Sequence, residues 1–226
     1  MQQGPDISRI AALIGERGRA EILTALMAGR ALTATELARV AGVTPQTISS
    51  HLAKLCHARL IAKQSQGRHR YFSIASGDVA NLVENLTGVA YRIEGTRADD
   101  SPQGLAVRKA RVCYDHLAGE LGVLVYDSLE RRHLLHVTPN GLALTDPGWR
   151  VFDDLGIDTA GLLTKRRPVC RSCLDWSERR HHLAGSLGAA LLDRIIELRW
   201  ARRVVDSRAV KFSLMGEKSL RKAFGV

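Results

Sequence analysis

The stretch from Val43 to Ile74, VTPQTISSHLAKLCHARLIAKQSQGRHRYFSI, decides how the first part of the chain is read. Thr44 followed by Pro45 has the form of a helix N-cap and first helical position. From there Ile48, Leu52 and Leu55 recur at helical spacing and form an inward face over a helix running to about Ala58. The opposite face carries Gln46, Thr47, Ser49, Ser50, His51 and Lys54, which are small or polar and include no carboxylate. Two short alternating runs follow, Leu60 to Gln64 and Arg70 to Ile74, joined by SQGRH with Gly67 at the turn, and these predict a basic β-hairpin.

Upstream, ALTATELARVAG predicts a short helix capped by Thr33 or Thr35 and closed at Gly42. Before it, Ile7 to Met27 has apolar residues at helical spacing (Ile10, Leu13, Ile14, Ile22, Leu23, Leu26), which Gly15 and Gly18 divide into two helices. Helix, tight turn, acid-free second helix and basic hairpin together make a winged helix-turn-helix. Its chemistry suits double-stranded DNA. Short hydroxyl, amide and imidazole groups from Thr44, Gln46, Thr47, Ser49, Ser50 and His51, with Lys54, fit a major groove about 12 Å wide, and Arg68, His69 and Arg70 at the hairpin tip reach the flanking backbone or minor groove.

The charge supports this placement. The 226 residues carry 33 Lys+Arg against 23 Asp+Glu, a formal net charge of +10, which favours a polyanionic partner. Between Glu36 and Asp78 there is no acidic residue, whereas Arg39, Lys54, Arg59, Lys63, Arg68 and Arg70 all fall there. The remaining excess is spread over the C-terminal half, so the acid-free window rather than the total locates the DNA face. With 45% apolar residues, the chain can bury packed cores without disulfides, and its length suits one large domain or two small ones. No apolar run is long enough to span a bilayer and the N-terminus lacks a signal-peptide pattern, so a cytoplasmic protein with no membrane partner is expected.

These residues resemble the ArsR (arsenic-repressor) family of transcriptional regulators. The likeness covers roughly residues 5 to 90: GERGRAEILTALMAGRALTATELARVAG matches, and the Ser49, His51, Leu52 triplet and the wing Gly67 to Tyr71 sit at the family spacing. The resemblance implies a homodimer on a near-palindromic operator, acting as a repressor that an effector releases. It also implies a subunit-pairing helix after the wing, where Asp78 can cap a run over Val79, Leu82, Val83 and Leu86. The chain departs from the family's best-known metal sensors, whose Cys-Val-Cys run is replaced by Glu36 to Val40. The His- and Asp-rich dimer-helix end of the zinc sensors is missing too. Any sensing is therefore expected elsewhere. As a whole the chain resembles ArsR-like regulators with a long C-terminal extension.

That extension repeats itself. After an expected linker at 95–104 (GTRADDSPQG), DHLAGELGVLVYDSLERR at 115–132 returns as HHLAGSLGAALLDRIIELR at 181–199, and LTDPGWRVF at 144–152 matches FSLMGEKSL at 212–220. Each copy reads as a helix, a pair of short apolar runs and a closing helix. The expected fold is mainly α with small β-hairpins (α+β): a winged helix-turn-helix and dimerisation domain at 1–94, then a module at 105–226 of two related helix-hairpin-helix units, about 113–157 and 179–226. Small Ala118, Gly119 and Gly122, with Ala184, Gly185 and Gly188, predict close helix–helix packing or room for a ligand.

Four cysteines remain. Cys170 and Cys173 form a C-x2-C that reads as half of a zinc or metalloid site, as a redox pair, or as ordinary buried cysteines. Cys113, His116, His181 and His182, at repeat-related positions, are the further candidate ligands. Cys56 at the end of the reading helix has the setting of a core residue. In CLDWSERRHHLAG, Asp175 or Ser177 is expected to cap a helix, with Glu178 in its first turn. Asp175, Ser177 and His181 are too crowded, and lack the elbow glycines, for a hydrolase triad. No catalytic residues or certain cofactor are assigned, and the effector is open between a small molecule and a metal. The expected function is a sequence-specific DNA-binding regulator that is not an enzyme. The alternatives are a thiol- or metal-dependent enzyme, or a protein-interaction module, fused to a DNA-binding domain.

Overall fold

The computed structural model describes residues 4–93, 101–139, 141–164 and 166–226. It divides into two units, one ending at Val83 and the other beginning at Glu84. In the first, α1 (Ile7–Ile14) stops at Gly15, and Glu16 caps α2 (Arg17–Leu26) by accepting from the Gly18 and Arg19 N–H groups. The break therefore falls at Gly15 alone, and Gly18 lies inside α2. After β1 (Leu32–Thr33), α3 (Ala34–Ala41) begins with a capping box between Thr33 and Glu36 and ends at Gly42, whose φ of 62° favours glycine. Helix α4 (Pro45–His57) follows, with Thr44 as its N-cap.

Strands β2 (Ile61–Gln66) and β3 (His69–Ile74) form the hairpin; they extend inward until Gln66 pairs with His69, so the turn is tighter than the expected SQGRH connection. Strand β1, too short to show as a sequence pattern, pairs with β3 to give the sheet order β1-β3-β2. The core joins Ile22, Leu23 and Leu26 of α2, Leu37 of α3, Ile48, Leu52 and Leu55 of α4, and Phe72 and Ile74 of β3. These are the periodic positions that the sequence marks.

Helix α5 (Gly77–Ile93) starts at Ser76, whose Oγ accepts from the Val79 N–H, so Ser76 takes the capping place expected of Asp78. The unit boundary lies within this helix and not after residue 94. From Glu84 onward α5 belongs with the C-terminal unit: Glu84 pairs with Arg111 and Arg208, and Tyr91 packs on Trp176. Residues 95–100 of the expected linker lie outside the described residues. Its last residues are helical, because Ser101 caps α6 (Pro102–Lys109).

The repeat is present with one more element per copy than expected. The first copy runs β4 (Arg111–Cys113), β5 (His116–Ala118), α7 (Glu120–Arg131), β6 (Leu135–Thr138), β7 (Gly141–Leu144) and α8 (Asp146–Asp154). The short helix α9 (Thr159–Leu163) intervenes. The second copy runs β8 (Arg171–Leu174), β9 (His181–Ala184), α10 (Gly185–Glu197), β10 (Ala201–Arg203), β11 (Val210–Phe212) and α11 (Leu214–Ala223). Each copy is thus hairpin–helix–hairpin–helix, which corrects the expected helix-hairpin-helix.

The correction has a local cause. His-Leu-Ala, expected to be helical, is a strand, and the glycine after it turns the chain into the helix at positive φ (82° at Gly119, 89° at Gly185). A Cβ at either glycine would fall within 2.5 Å of a backbone oxygen, that of Arg108 or Val169. The second glycine of each HLAG-x-LG serves a different contact. A Cβ added at Gly122 of α7 would fall 2.5 Å from the Leu117 carbonyl oxygen of β5, and one at Gly188 of α10 2.4 Å from that of Leu183 of β9, with the other copy's His182 and His116 next at 3.5 Å and 3.2 Å. Close packing is the outcome, but each helix approaches strands, first its own copy's and then the other's, rather than the other copy's helix. Leu117, Leu121, Val125, Leu183, Leu187 and Leu191 fill the core between the copies, and Phe152 meets Phe224 edge-on at 5.8 Å.

Candidate functional site

On the N-terminal unit, α4 exposes Thr44, Gln46, Ser49, Ser50 and Lys54, with Thr47 half-buried. Arg68 occupies the hairpin turn, and His69 and Arg70 open β3, all exposed. Part of the hydroxyl set is already engaged: Thr44 and Thr47 share a hydrogen bond of 2.9 Å, and Ser49 donates to the Pro45 carbonyl at 2.8 Å. Gln46, Ser50 and Lys54 form the freely projecting edge. A helix about 10–12 Å across with such side chains matches the width of a major groove.

His51 departs from the expected set. It is buried, with Nδ1 3.5 Å from Arg19 Nη1 and Nε2 3.5 Å from the Glu16 carboxylate. Arg19 in turn donates to the carbonyls of Leu13 and Ala12. His51 therefore fastens α4 to the start of α2, and its ring is not presented to a groove. Cys56 is half-buried, and burial pushes its thiol up from the usual range.

The C-terminal unit gathers its polar residues inside. Cys113 and His116 are cross-strand partners on the β4–β5 hairpin, and Cys173 and His182 are cross-strand partners on β8–β9. Opposed residues of an antiparallel pair point to one face, and the two hairpins meet with these faces together. The two sulfurs lie 4.0 Å apart, the two Nε2 atoms 3.1 Å apart, and one ligating atom from each residue fits within 4.8 Å of all the others. All four side chains are buried. Among the described residues, this group could hold a metal ion.

A carboxylate stands behind each imidazole. His116 Nδ1 hydrogen-bonds Asp115 Oδ1 at 3.1 Å, and Arg167 braces Asp115 from outside. His182 Nδ1 lies 3.3 Å from Asp175 Oδ2, within ion-pair range but off the line of a hydrogen bond. Asp175 also accepts from the Gly119 N–H at 2.7 Å and pairs with Arg111 at 2.9 Å. Burial alone would raise its pKa, but His182 and Arg111 hold it well below the usual carboxylate range. Arg111, fully buried, reaches on to Glu84 at 3.2 Å, lies over the Trp176 ring at 4.3 Å and donates to Ser177. Arg208 closes the other side of Glu84 at 2.6 Å.

The structure thus separates the candidate ligands. Cys170 and Cys173 do not act as a pair: residues three apart along extended chain face opposite ways, and Cys170 sits in the apolar core while Cys173 joins the cluster. Burial pushes the Cys170 thiol to about 12. His181 and His182, adjacent on β9, also diverge; His181 is exposed beside Tyr126, with ring centroids 5.9 Å apart. The segment from Asp175 to Arg180 is the β8–β9 loop and not a helix. There Asp175 caps a turn by accepting from Ser177 and Glu178, and Trp176 covers Arg111. Glu84 and Arg111 went unmarked in the sequence. The signal for the cluster is that His116 and His182 both directly precede Leu-Ala-Gly, so the repeat itself equates them.

Fold and surface together define a DNA-binding protein of the winged helix-turn-helix class. A helix-turn-helix domain family matches residues 15–64. Over 222 residues the chain is 40% identical to the uncharacterized HTH-type transcriptional regulator YdfF of Bacillus subtilis (strain 168), covering 98% of each protein. The chain belongs to this family of HTH-type transcriptional regulators. Among solved structures, it is similar to the homodimeric winged helix-turn-helix DNA-binding domain of Mb0332 from Mycobacterium bovis, with 24% identity and a TM-score of 0.35 over 40% of this chain and 90% of that one. It is similar also to Rv0081 of M. tuberculosis, with 24% identity and a TM-score of 0.36 over 40% of this chain and 95% of that one. No described helix is long and apolar enough to cross a membrane.

Proposed function

We propose that the protein is a dimeric, sequence-specific repressor that binds a near-palindromic double-stranded operator through α4 and the wing, and that the C-terminal unit modulates that binding in response to an effector. The carrying observation is the exposed, carboxylate-free surface formed by Gln46, Ser49, Ser50 and Lys54 with Arg68, His69 and Arg70. The side chains on α4 can reach base edges, and the arginines can contact phosphates. Dimerisation through α5 is supported by Leu82, Leu86, Val89 and Ile93, apolar side chains 37%, 42%, 40% and 78% exposed at helical spacing. Two reading helices on one dimer would address half-sites about one DNA turn apart.

Selection of binding sites from random DNA, followed by titration of the selected duplex at several salt concentrations, tests the reading. A two-fold-symmetric consensus bound by two chains is expected. Unaltered affinity after replacing Gln46, Lys54, Arg68 and Arg70 one by one would overturn it.

A further inference from the structure

We propose that Cys113, His116, Cys173 and His182 form a closed tetrahedral site for one divalent ion of the zinc class, which clamps the two repeats of the C-terminal unit to each other. This goes beyond the regulatory reading and does not depend on DNA binding.

The donor set and its dimensions carry the inference. Zinc bound at about 2.3 Å from sulfur and 2.0–2.1 Å from nitrogen needs its two sulfurs about 3.8 Å apart and its two nitrogens about 3.3 Å apart. The cluster offers 4.0 Å and 3.1 Å. Two thiolates balance a 2+ charge, so the ion with its four ligands adds no net charge to the interior. Thiolate with imidazole suits zinc-class ions, whereas calcium and magnesium take oxygen ligands.

The histidines are also oriented for a cation. Each turns Nδ1 toward a carboxylate, Asp115 or Asp175, which leaves the two Nε2 atoms facing each other across the cluster. Two lone pairs at 3.1 Å repel unless a proton or a metal lies between them. A carboxylate hydrogen-bonded behind a ligating imidazole fixes the ring and its tautomer in metal sites, as Asp115 does behind His116. Four protein ligands leave no open position, which is the form of a structural zinc site rather than a catalytic one.

The two halves of the site come from different repeats, so a bound ion joins β4–β5 to β8–β9 where Gly122 and Gly188 already bring the copies close. Asp175 extends the connection to Arg111 and then to Glu84 on α5. The site is thus joined by side-chain contacts to Glu84 of α5 within the C-terminal unit.

The test uses the full chain, purified anaerobically, dialysed with zinc and then against metal-free buffer. One zinc per chain is expected by elemental analysis, with two sulfur and two nitrogen neighbours by X-ray absorption on the wild-type protein. Cobalt in place of zinc should give thiolate-to-metal charge-transfer absorption. Cys173→Ser should abolish tight binding, and Asp175→Asn should weaken it about 10- to 100-fold. Cys170→Ala and His181→Ala should keep one zinc per chain. Should the ligand variant fail to fold, the absorption spectrum of the wild type decides. Zinc well below one per chain in protein with four free thiols, a metal shell without two sulfurs, or a Cys113–Cys173 disulfide in the anaerobic protein would each overturn the proposal. No DNA enters these measurements, so the site and the operator-binding reading can fail separately.

Discussion

Arg70 and Arg111 show how differently the two units use charge. Arg70 stands exposed at the start of β3, beside Arg68 and His69 at the tip of the hairpin. Arg111 has no exposed surface; it is held between Glu84 and Asp175, beneath Trp176 and one step from the Cys/His cluster. A solvated arginine is available to a partner and contributes little to the stability of its own fold. A buried one is available to nothing outside, and the fold around it depends on every neighbour that neutralises it. The N-terminal unit keeps its working groups where packing does not need them, whereas in the C-terminal unit they are part of the packing.

Substitutions in the two places should separate these roles. Asp175→Ala leaves Arg111 short of one buried carboxylate and removes the acceptor for the Gly119 N–H. Denaturant unfolding is expected to show a loss of about 3–5 kcal/mol, whereas Arg70→Ala should fall within about 0.5 kcal/mol of wild type. Equal effects would break the contrast.

The glycines give a second comparison. Gly119→Ala or Gly185→Ala forces a Cβ into positive φ and to within 2.5 Å of a backbone oxygen, and should cost at least the ~1–3 kcal/mol usual for such strain. Gly67→Ala at the wing also takes a positive φ, of 58°, but in open space, so a loss of only about 1 kcal/mol is expected by the same measurement.

For the DNA face, the double change Arg68→Ala with Arg70→Ala should weaken all duplexes alike and lower the salt slope of log affinity by about one for each phosphate that is no longer neutralised. Gln46→Ala should instead change the preferred base at one position, by about 1–3 kcal/mol of discrimination in a competition assay. The smallest effect concerns the C-x2-C cysteines. Cys170, with its thiol pushed to about 12, should resist alkylation at neutral pH in the native protein and react at the ordinary rate once unfolded, as mass spectrometry of labelled peptides would show.

How much could be read in advance follows from the range of the interactions. Thr44-Pro45, Gly42, the Ile48–Leu52–Leu55 stripe and the Gly67 turn act over a few residues, and α3, α4 and the wing hairpin stand where these place them, whereas β1 is too short to show. The exception, His51, shares the helix surface with the polar residues. Only the packing of α2, with Arg19 and Glu16 at its start, turns it inward. In the C-terminal unit the repeat was legible but not its first hairpin, because HLAG looks helical until the glycine takes positive φ. The nearest sequence pair, Cys170 and Cys173, parts for a local reason: an odd spacing along extended chain turns the two side chains to opposite faces.

The sequence by itself determined the class of the N-terminal unit, its acid-free surface, and the existence of two related copies behind it, since local periodicity, capping and composition carry that information. Only the tertiary structure decided which of the candidate ligands meet. Cys113 and Cys173 lie sixty positions apart and come together because two hairpins from different repeats pack face to face. The partners of Glu84 and Arg111 were settled in the same way, since a buried charge is matched by whatever the fold brings within reach, at any separation along the chain.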